Sequence, residues 1–396
     1  MSGSGCTVMG DGLGWGLAAF AAAATAIHIV TTAIAVWRCR PSDEPIAARA
    51  DMPPVSIVRP VCGVEPFDAA TLGSTFALDY PRYEILFCVA RADDPAAQLA
   101  ERLIAHHPGV PARLLIGEDL GSVNPKLNNV AKGWAAANHD WIVLADSNVL
   151  MPPDYLQRLL IRWGSGTGLV CSPPIGSHPD GFWAEVECAF LNTYQARWQY
   201  ATDTLGYGFS QGKTMLWQRC ALEAAGGIGA LARDVAEDAA ATKIIRQAGR
   251  RVRLVDRPFS QPLGHRSAGV VWSRQLRWAQ LRRQSFPLQF VPEVLTGVFP
   301  PLVAAGLAAA IFDAPVIGTL AALLCLWLAC EAWLAHAARW HLTWRSPFTW
   351  MLRDAMVIVI WGTAWVRQRF TWRGNQMAVE TPRTRWPGVT GLPKPR

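Results

Sequence analysis

Charge is what this sequence has least of. Only 17% of its 396 residues are Asp, Glu, Lys or Arg, against 51% hydrophobic, and the few charges are unevenly spread. That balance points to a soluble part joined to membrane-embedded parts. No helix-turn-helix, zinc-finger or RNP signature is present, so the net charge of +7 and pI near 9.1 are not read as a nucleic-acid footprint. The Arg residues cluster beside apolar stretches instead, as on cytoplasmic flanks of membrane segments. The expected partners are therefore a membrane surface and anionic phosphates, with no nucleic acid. The nine Cys form no C-x-x-C. This excludes a zinc site or disulfide framework of the usual kind and suits a reducing compartment. Internal repeats and low-complexity tracts are lacking, and none of the eight His has a Ser or Cys context that looks like a nucleophile site.

Two suggestive motifs fail on inspection. Gly212-Lys213-Thr214 resembles the end of a P-loop, but Tyr207 stands where the first Gly is needed and no strong strand leads in. Gly164 to Gly168 lacks the G-x-G-x-x-G spacing and precedes a strand, so it reads as a turn. His106-His107 reads as a solvated helix end.

Gly12 to Trp37 contains no charged residue and is long enough to cross a bilayer. Arg38 and Arg40 follow at once, which predicts a signal anchor over 1–40 with the chain after it in the cytoplasm. A charged, Pro-containing linker over 41–54 leads into a domain expected over 55–270. There Val55 to Pro60, Tyr83 to Val89, Arg113 to Ile116, Trp141 to Ala145 and Leu169 to Cys171 read as strands, with Pro60 ending the first. Helical spacing occurs over Phe67–Leu78, Leu127–Ala137, Tyr155–Trp163, Trp183–Tyr200 and Ala236–Gln247. Such alternation predicts an α/β, Rossmann-like fold with a mostly parallel sheet, flanked by N- and C-terminal transmembrane helices.

An interfacial helix is expected over 271–290. It leads into a membrane region over 291–370 with apolar spans at Val294–Phe312 and Ala314–Ala335. A third, short segment at Ala355–Trp365 either crosses or returns to the cytoplasm. Arg367, Arg369, Arg373, Arg383 and Arg385 then favour a basic cytosolic tail over 371–396. The layout is that of a multi-pass integral membrane protein with its soluble domain cytosolic.

Carboxylates gather where strands end. Asp146 follows the run Trp141–Ala145, at the carboxyl end of a strand, where open α/β sheets bind ligands; the plainer reading is a cap for the helix near Pro153. Asp93-Asp94 follows the second strand, and Glu237-Asp238 opens a helix. Three such groups meet the needs of a nucleotide-sugar transferase: one to orient the nucleoside, one to hold a divalent cation on the diphosphate, one to take the acceptor's proton. Arg274, Arg277 and Trp278 share one helical face. They could receive a leaving diphosphate and line the acceptor mouth, or simply lie on anionic lipid.

In order along the chain, Asp93-Asp94-Pro95, Asn124-Pro125-Lys126-Leu127-Asn128-Asn129, Asp146-Ser147, Gly226-Gly227, Glu237-Asp238 and Arg274-x-x-Arg277-Trp278 resemble the ceramide glucosyltransferase family. This is a branch of the GT-A glycosyltransferases with a D, D, D, (Q/R)-x-x-R-W pattern. The resemblance covers Val55 to about Arg283, and the flanking membrane layout also matches.

It implies an inverting transfer of a sugar, glucose for preference, from a UDP-sugar to the hydroxyl of a membrane lipid, ceramide for preference, at a bacterial inner membrane. It also implies that Asp94 with Asp93, Glu65 and Lys126 serve the nucleotide side, Asp146 the diphosphate and metal, and Asp238 the base. Arg274, Arg277 and Trp278 would serve the diphosphate and acceptor. The implied cofactor is Mg2+ or Mn2+, yet Asn148 stands where the usual D-x-D has its second acid, and an amide oxygen is a weaker ligand for a hard cation. Other readings of the same residues are a hopanoid or other lipid glycosyltransferase, a processive polysaccharide synthase, and a non-catalytic membrane scaffold.

Overall fold

A strand sealed on both faces needs an unbroken apolar run, and Tyr83–Val89 supplies one: all seven residues are buried. In the computed structural model, which describes residues 4–41, 52–117, 119–122, 124–367, 369–372 and 375–378, this strand lies near one edge of a seven-stranded sheet. The strands are β1 (Val55–Val61), β2 (Tyr83–Val89), β3 (Ala112–Ile116), β4 (Trp141–Ala145), β5 (Thr167–Cys171), β6 (Ile175–Asp180), β7 (Thr214–Gln218), β8 (Arg251–Leu254) and β9 (Ser260–His265), with a separate antiparallel pair, β10 (Arg369–Trp372) and β11 (Asn375–Ala378), near the C-terminus. The sheet order is β3-β2-β1-β4-β7-β5-β8, while β6 and β9 pair separately. Within the seven-stranded sheet, pairing is parallel except on both sides of β7. The mostly parallel α/β sheet is therefore present, with β7 the antiparallel member that the sequence did not announce.

Strand order reverses between β1 and β4. The chain steps from β1 outward to β2 and β3, then returns to place β4 on the other side of β1. The carboxyl ends of β1 and β4 flank the topological switch point, the expected ligand crevice of such sheets. Pro60 does not end its strand, which runs to Val61. Pairing of β1 with β4 stops at Val58, so Pro60 lies beyond the stretch where that neighbour would need its missing N–H.

The helix Pro125–Ala136 packs across β1 and β2 because Gly133 offers no side chain: a Cβ there would lie 2.5 Å from Val58 Cγ1 and 2.6 Å from Cys88 Sγ. On the opposite face of the sheet the core includes Ile57, Ile85, Phe87, Val143, Tyr155 and Leu216. His107, expected to be solvated, is half-buried and stacks on Phe76 with ring centroids 4.5 Å apart, whereas His106 is exposed.

The chain divides into two units. One comprises the described residues from Met52 to His178 with Thr202–Gly264; the other comprises those up to Pro41 with Pro179–Ala201 and His265–Ala378. The stretch Pro179–Ala201, placed by sequence inside a domain over 55–270, thus groups with the helical unit. It is an α-helix over Phe182–Ala189, a π-helical turn over Phe190–Ala196, and a further helix over Arg197–Thr204. Val186, Phe190 and Tyr194 join Val271, Leu276, Met356 and Ile360 in an apolar core, which explains the grouping.

In the helical unit, Asp11–Cys39 and Val316–Ala337 are long and apolar enough to cross a membrane. The expected span Val294–Phe312 is instead a helix over Phe299–Ile311, bent 49° from the segment Pro287–Leu295, and only the two together reach spanning length. The expected interfacial segment is the helix Ala268–Ser285. The third apolar segment begins at Ser346, not Ala355, because Arg353 and Asp354 are inside the helix Ser346–Val366 and almost wholly buried. Most of the linker over 41–54, and most of the tail over 371–396 with Arg373, Arg383 and Arg385, fall outside the described residues.

Candidate active site

The site grows from the end of β4. Asp146 donates its N–H to Lys213 O at 3.0 Å, which ties the strand end to the start of β7. Behind it stands Arg59 of β1, fully buried. Its Nη2 donates to the carbonyls of Asp146, Ser147 and Val149 at 2.8, 2.9 and 3.0 Å, and its Nη1 to Thr71 O at 2.7 Å and to Thr75 Oγ1. The turn carrying the carboxylate is thus held by a guanidinium on the neighbouring strand. Asp146 does not cap the next helix: Asp154 occupies the position before Tyr155–Ile161.

The Asp146 side chain faces two ammonium groups. Lys126 Nζ is 2.6 Å from Oδ1 and Lys213 Nζ is 2.8 Å from Oδ2. Burial opposes its ionisation, but the two lysines prevail and hold the carboxyl below the usual carboxylate range. Lys126 also donates to Glu237 Oε1 at 2.6 Å and to Gly212 O at 2.7 Å. Burial works against its charge as well, yet Asp146 and Glu237 raise its pKa above the ordinary lysine value.

Asn124 caps the helix Pro125–Ala136 and sends Nδ2 to Glu237 Oε2 at 2.9 Å. Asn129 of the same helix donates to Cys88 O at 2.6 Å, tying the helix to β2. The Asn-Pro-Lys-Leu-Asn-Asn stretch therefore works as a cap, a helix start, a double ion pair and a strap.

Asp238 lies in the first turn of Glu237–Gln247. Its Oδ2 accepts from Gly212 N at 3.3 Å and its Oδ1 from Ala239 N at 2.8 Å. Burial first, and then Glu237, push its carboxyl up to about 6, against the pull of Lys126. A Cβ on Gly212 would stand 2.9 Å from Glu237 Oε1, 3.4 Å from Lys126 Nζ and 3.6 Å from Asp238 Oδ2, so these groups converge on one glycine.

Lys126, Asp146 and Asp238, far apart in sequence, are brought together. Asp94 and Asp93 have local contacts instead. Asp94 caps the helix Pro95–His106 and its Oδ1 also accepts from Gly63 N at 2.8 Å, lacing the loop after β1 to the loop after β2. Asp93 is exposed and paired with Arg91, and Glu65 is exposed on the β1 loop. In the helical unit, Arg274 lies 2.5 Å from Glu187 Oε1 and 6.0 Å from the Trp278 ring centroid, and Arg277 and Trp278 are half-buried on the same helix.

Sequence reasoning missed Lys213, Gly212 and Arg59. The chain has only five lysines, at 126, 132, 213, 243 and 394. That two of them reach one carboxylate is the signal that scarcity could have given.

Asp146 and Asn148 bring oxygen donors together beside Lys213, and no group of three or more His, Cys, Asp or Glu suited to a metal occurs among the described residues. Two donors suit a hard cation only when the ligand's own oxygens complete its shell.

The model of the Glycosyl transferase family 21 matches residues 17–384. The chain belongs to this family. Among similar proteins, Ceramide glucosyltransferase 1 of Caenorhabditis elegans is 28% identical over 272 residues, 68% of this chain and 58% of that protein. The ceramide glucosyltransferase of Komagataella phaffii is 42% identical over 108 residues, 26% of this chain and 21% of that one. The match therefore spans less than two thirds of either relative. A solved mannosyltransferase from Pyrobaculum calidifontis, in complex with GDP-Man and Mn2+, is 21% identical with a TM-score of 0.49, over 88% of this chain and 99% of that one. For a family 21 chain, the sheet described above is the expected GT-A scaffold.

Proposed function

We propose that this family 21 chain transfers glucose from a UDP-sugar to the hydroxyl of a ceramide-type membrane lipid, with inversion. The observation that carries the reading is a pair of carboxyls driven in opposite directions: Asp146 is kept ionised between Lys126 and Lys213, while Asp238 is raised to about 6. Environments that separate two acids in this way divide anchoring from proton transfer.

Asp238, ionised at neutral pH, takes the proton of the acceptor hydroxyl. That oxygen bonds to the anomeric carbon on the face opposite the diphosphate. The bond from the anomeric carbon to the diphosphate oxygen breaks, and UDP leaves with the electron pair. The loops after β1 and β2, with Glu65, Asp93 and Asp94, are assigned to the nucleoside. Arg274, Arg277 and Trp278 are assigned to the diphosphate and the lipid acceptor. A divalent cation bound with the donor would be held by Asp146 and Asn148 and would neutralise diphosphate charge.

The apolar helix Asp11–Cys39 and the Arg38 and Arg40 that close it support an anchored protein whose sugar-transferring unit faces the cytosol. The test is incubation of the purified full chain with ceramide-containing vesicles and labelled UDP-glucose or UDP-N-acetylglucosamine, with lipid products separated by mass. A single-hexose ceramide is expected; lipid left unglycosylated alongside glycosylation of another polyol lipid would move the acceptor, and sugar chains would move the class.

A further inference from the structure

Two lysines touch Asp146, and their surroundings differ. An ammonium has three N–H donors. Lys126 directs its three at Asp146 Oδ1, Glu237 Oε1 and Gly212 O, at 2.6, 2.6 and 2.7 Å, all on the protein. It is a structural bolt between β4 and the helix Glu237–Gln247. Lys213 Nζ lies 2.8 Å from Asp146 Oδ2 and 3.3 Å from Asn148 Oδ1, both longer than the Lys126 contacts. Its root is fixed, because its own carbonyl accepts from Asp146 N at 3.0 Å. Its ammonium stands at the point where the oxygens of Asp146 and Asn148 converge, the place a cation would otherwise take. Gly212-Lys213-Thr214, dismissed above as a P-loop fragment, opens a strand and not a helix, so its phosphate chemistry has to come from the side chain and not from a helix N-terminus.

We propose that Lys213 is a tethered cation for the donor's diphosphate, stored on Asp146 and Asn148 and turned to the phosphate oxygens when the nucleoside diphosphate binds. A diphosphate carries more negative charge than the single carboxylate it competes with, and a lysine on a fixed backbone root can change partner by side-chain rotation alone. Asn148 suits this storage. A second carboxylate at that position would hold the ammonium too firmly to release it, and would bind a divalent cation more tightly than the amide does. The inference rests on the donor reading given above.

The experiment is calorimetric titration of UDP into the purified full chain, in EDTA and in Mg2+, with melting curves run on each variant. Wild type is expected to bind UDP in EDTA. Lys213→Ala is expected to lose at least ~10-fold in affinity there, with Lys213→Arg within about threefold of wild type. Asn148→Asp, a second and independent variant, is expected to weaken UDP binding in EDTA and to make it depend on Mg2+. Lys213→Ala within twofold of wild type in EDTA, or Asn148→Asp unchanged in both buffers, overturns the inference while leaving the donor reading intact. No UDP binding by wild type in either buffer overturns both. Lys213→Ala that melts with wild type but binds poorly separates a ligand role from a folding one.

Discussion

Gly212 presents its N–H to Asp238 Oδ2 at 3.3 Å and has no room for a side chain toward Glu237, whose Oε1 would lie 2.9 Å from an added Cβ. Backbone and carboxylate positions are therefore set together. Gly212→Ala is expected to push Glu237 aside, disturb the Lys126 bridge and move the base by a few tenths of an ångström. Because positioning errors cost far more in rate than in folding, turnover should fall by roughly 10-fold or more while the melting temperature shifts by about 3 °C or less. Steady-state kinetics beside a melting curve decide it; a variant with wild-type turnover removes Gly212 from the site's support.

Asp238 carries a pH signature. Its folded carboxyl is raised to about 6 from an ordinary value of 3.8, so the folded protein holds this proton more tightly than the unfolded chain does. The associated stability is complete below 3.8 and is lost as pH rises through about 6. Activity follows the opposite course, since a base must be ionised: turnover should climb through pH 6 and level off above it. Asp238→Asn should abolish transfer, bind UDP-sugar within about threefold of wild type, and show a flatter melting-temperature profile between pH 4 and 6. Retained turnover in Asp238→Asn would remove the base assignment.

Lys126 is predicted to matter for folding first. Lys126→Met leaves Asp146 and Glu237 without their shared cation. The cost is about 2 kcal/mol, below that of a fully sealed pair because the Lys126 side chain keeps 16% of its surface in solvent. A melting temperature lowered by about 4–8 °C is expected. Asp146 works in the same direction at low pH. Its carboxyl lies below the ordinary 3.8, so its contribution is present above that value and fades as pH falls beneath it. Wild type should therefore lose stability below about pH 4, and Lys126→Met should lose less of it.

How much of this could be read beforehand depends on the range of the interaction. The strands β1 to β5 announced themselves because a buried strand needs a local apolar run, and Asp146 was legible because the run stops there. Asp94 was noticed but its loop-lacing contact was not, since its partner Gly63 comes from another strand's loop. The strand β7 escaped because Thr214–Gln218 is short and antiparallel, fixed by its neighbours β4 and β5 and not by a repeat of its own. Lys213 escaped with it, judged against a phosphate-loop template when its meaning lay in a carboxylate 67 residues earlier. The helix Ser346–Val366 was read too short for a related reason. Hydropathy counts Arg353 as a break, and cannot see the Glu331 that neutralises it.

That pairing supports the last prediction. Arg353 lies with Nη2 at 2.6 Å and Nη1 at 3.0 Å from the two oxygens of Glu331, Nε at 2.8 Å from Asp354 Oδ1, and all three residues are within 2% exposure of full burial. Thr193 donates to Glu331 Oε2 at 2.6 Å, and Asp354 Oδ2 accepts from Val298 N at 2.9 Å, so the network joins the π-helical turn, two apolar helices and the bent segment. Removing Glu331 takes away the carboxylate acceptor of Arg353 Nη1 and Nη2 but leaves Asp354 as its counter-charge, so the cost is at the lower end of that for a broken buried pair, about 3 kcal/mol. Glu331→Ala should therefore lower the melting temperature in detergent by roughly 10 °C or abolish recovery of folded protein. Glu331→Gln, which keeps hydrogen-bonding atoms beside Arg353 but not the charge, should fall between wild type and Glu331→Ala. Equal melting of all three proteins would mean that Asp354, with the oxygens of Ala189 and Thr193, is enough to satisfy Arg353.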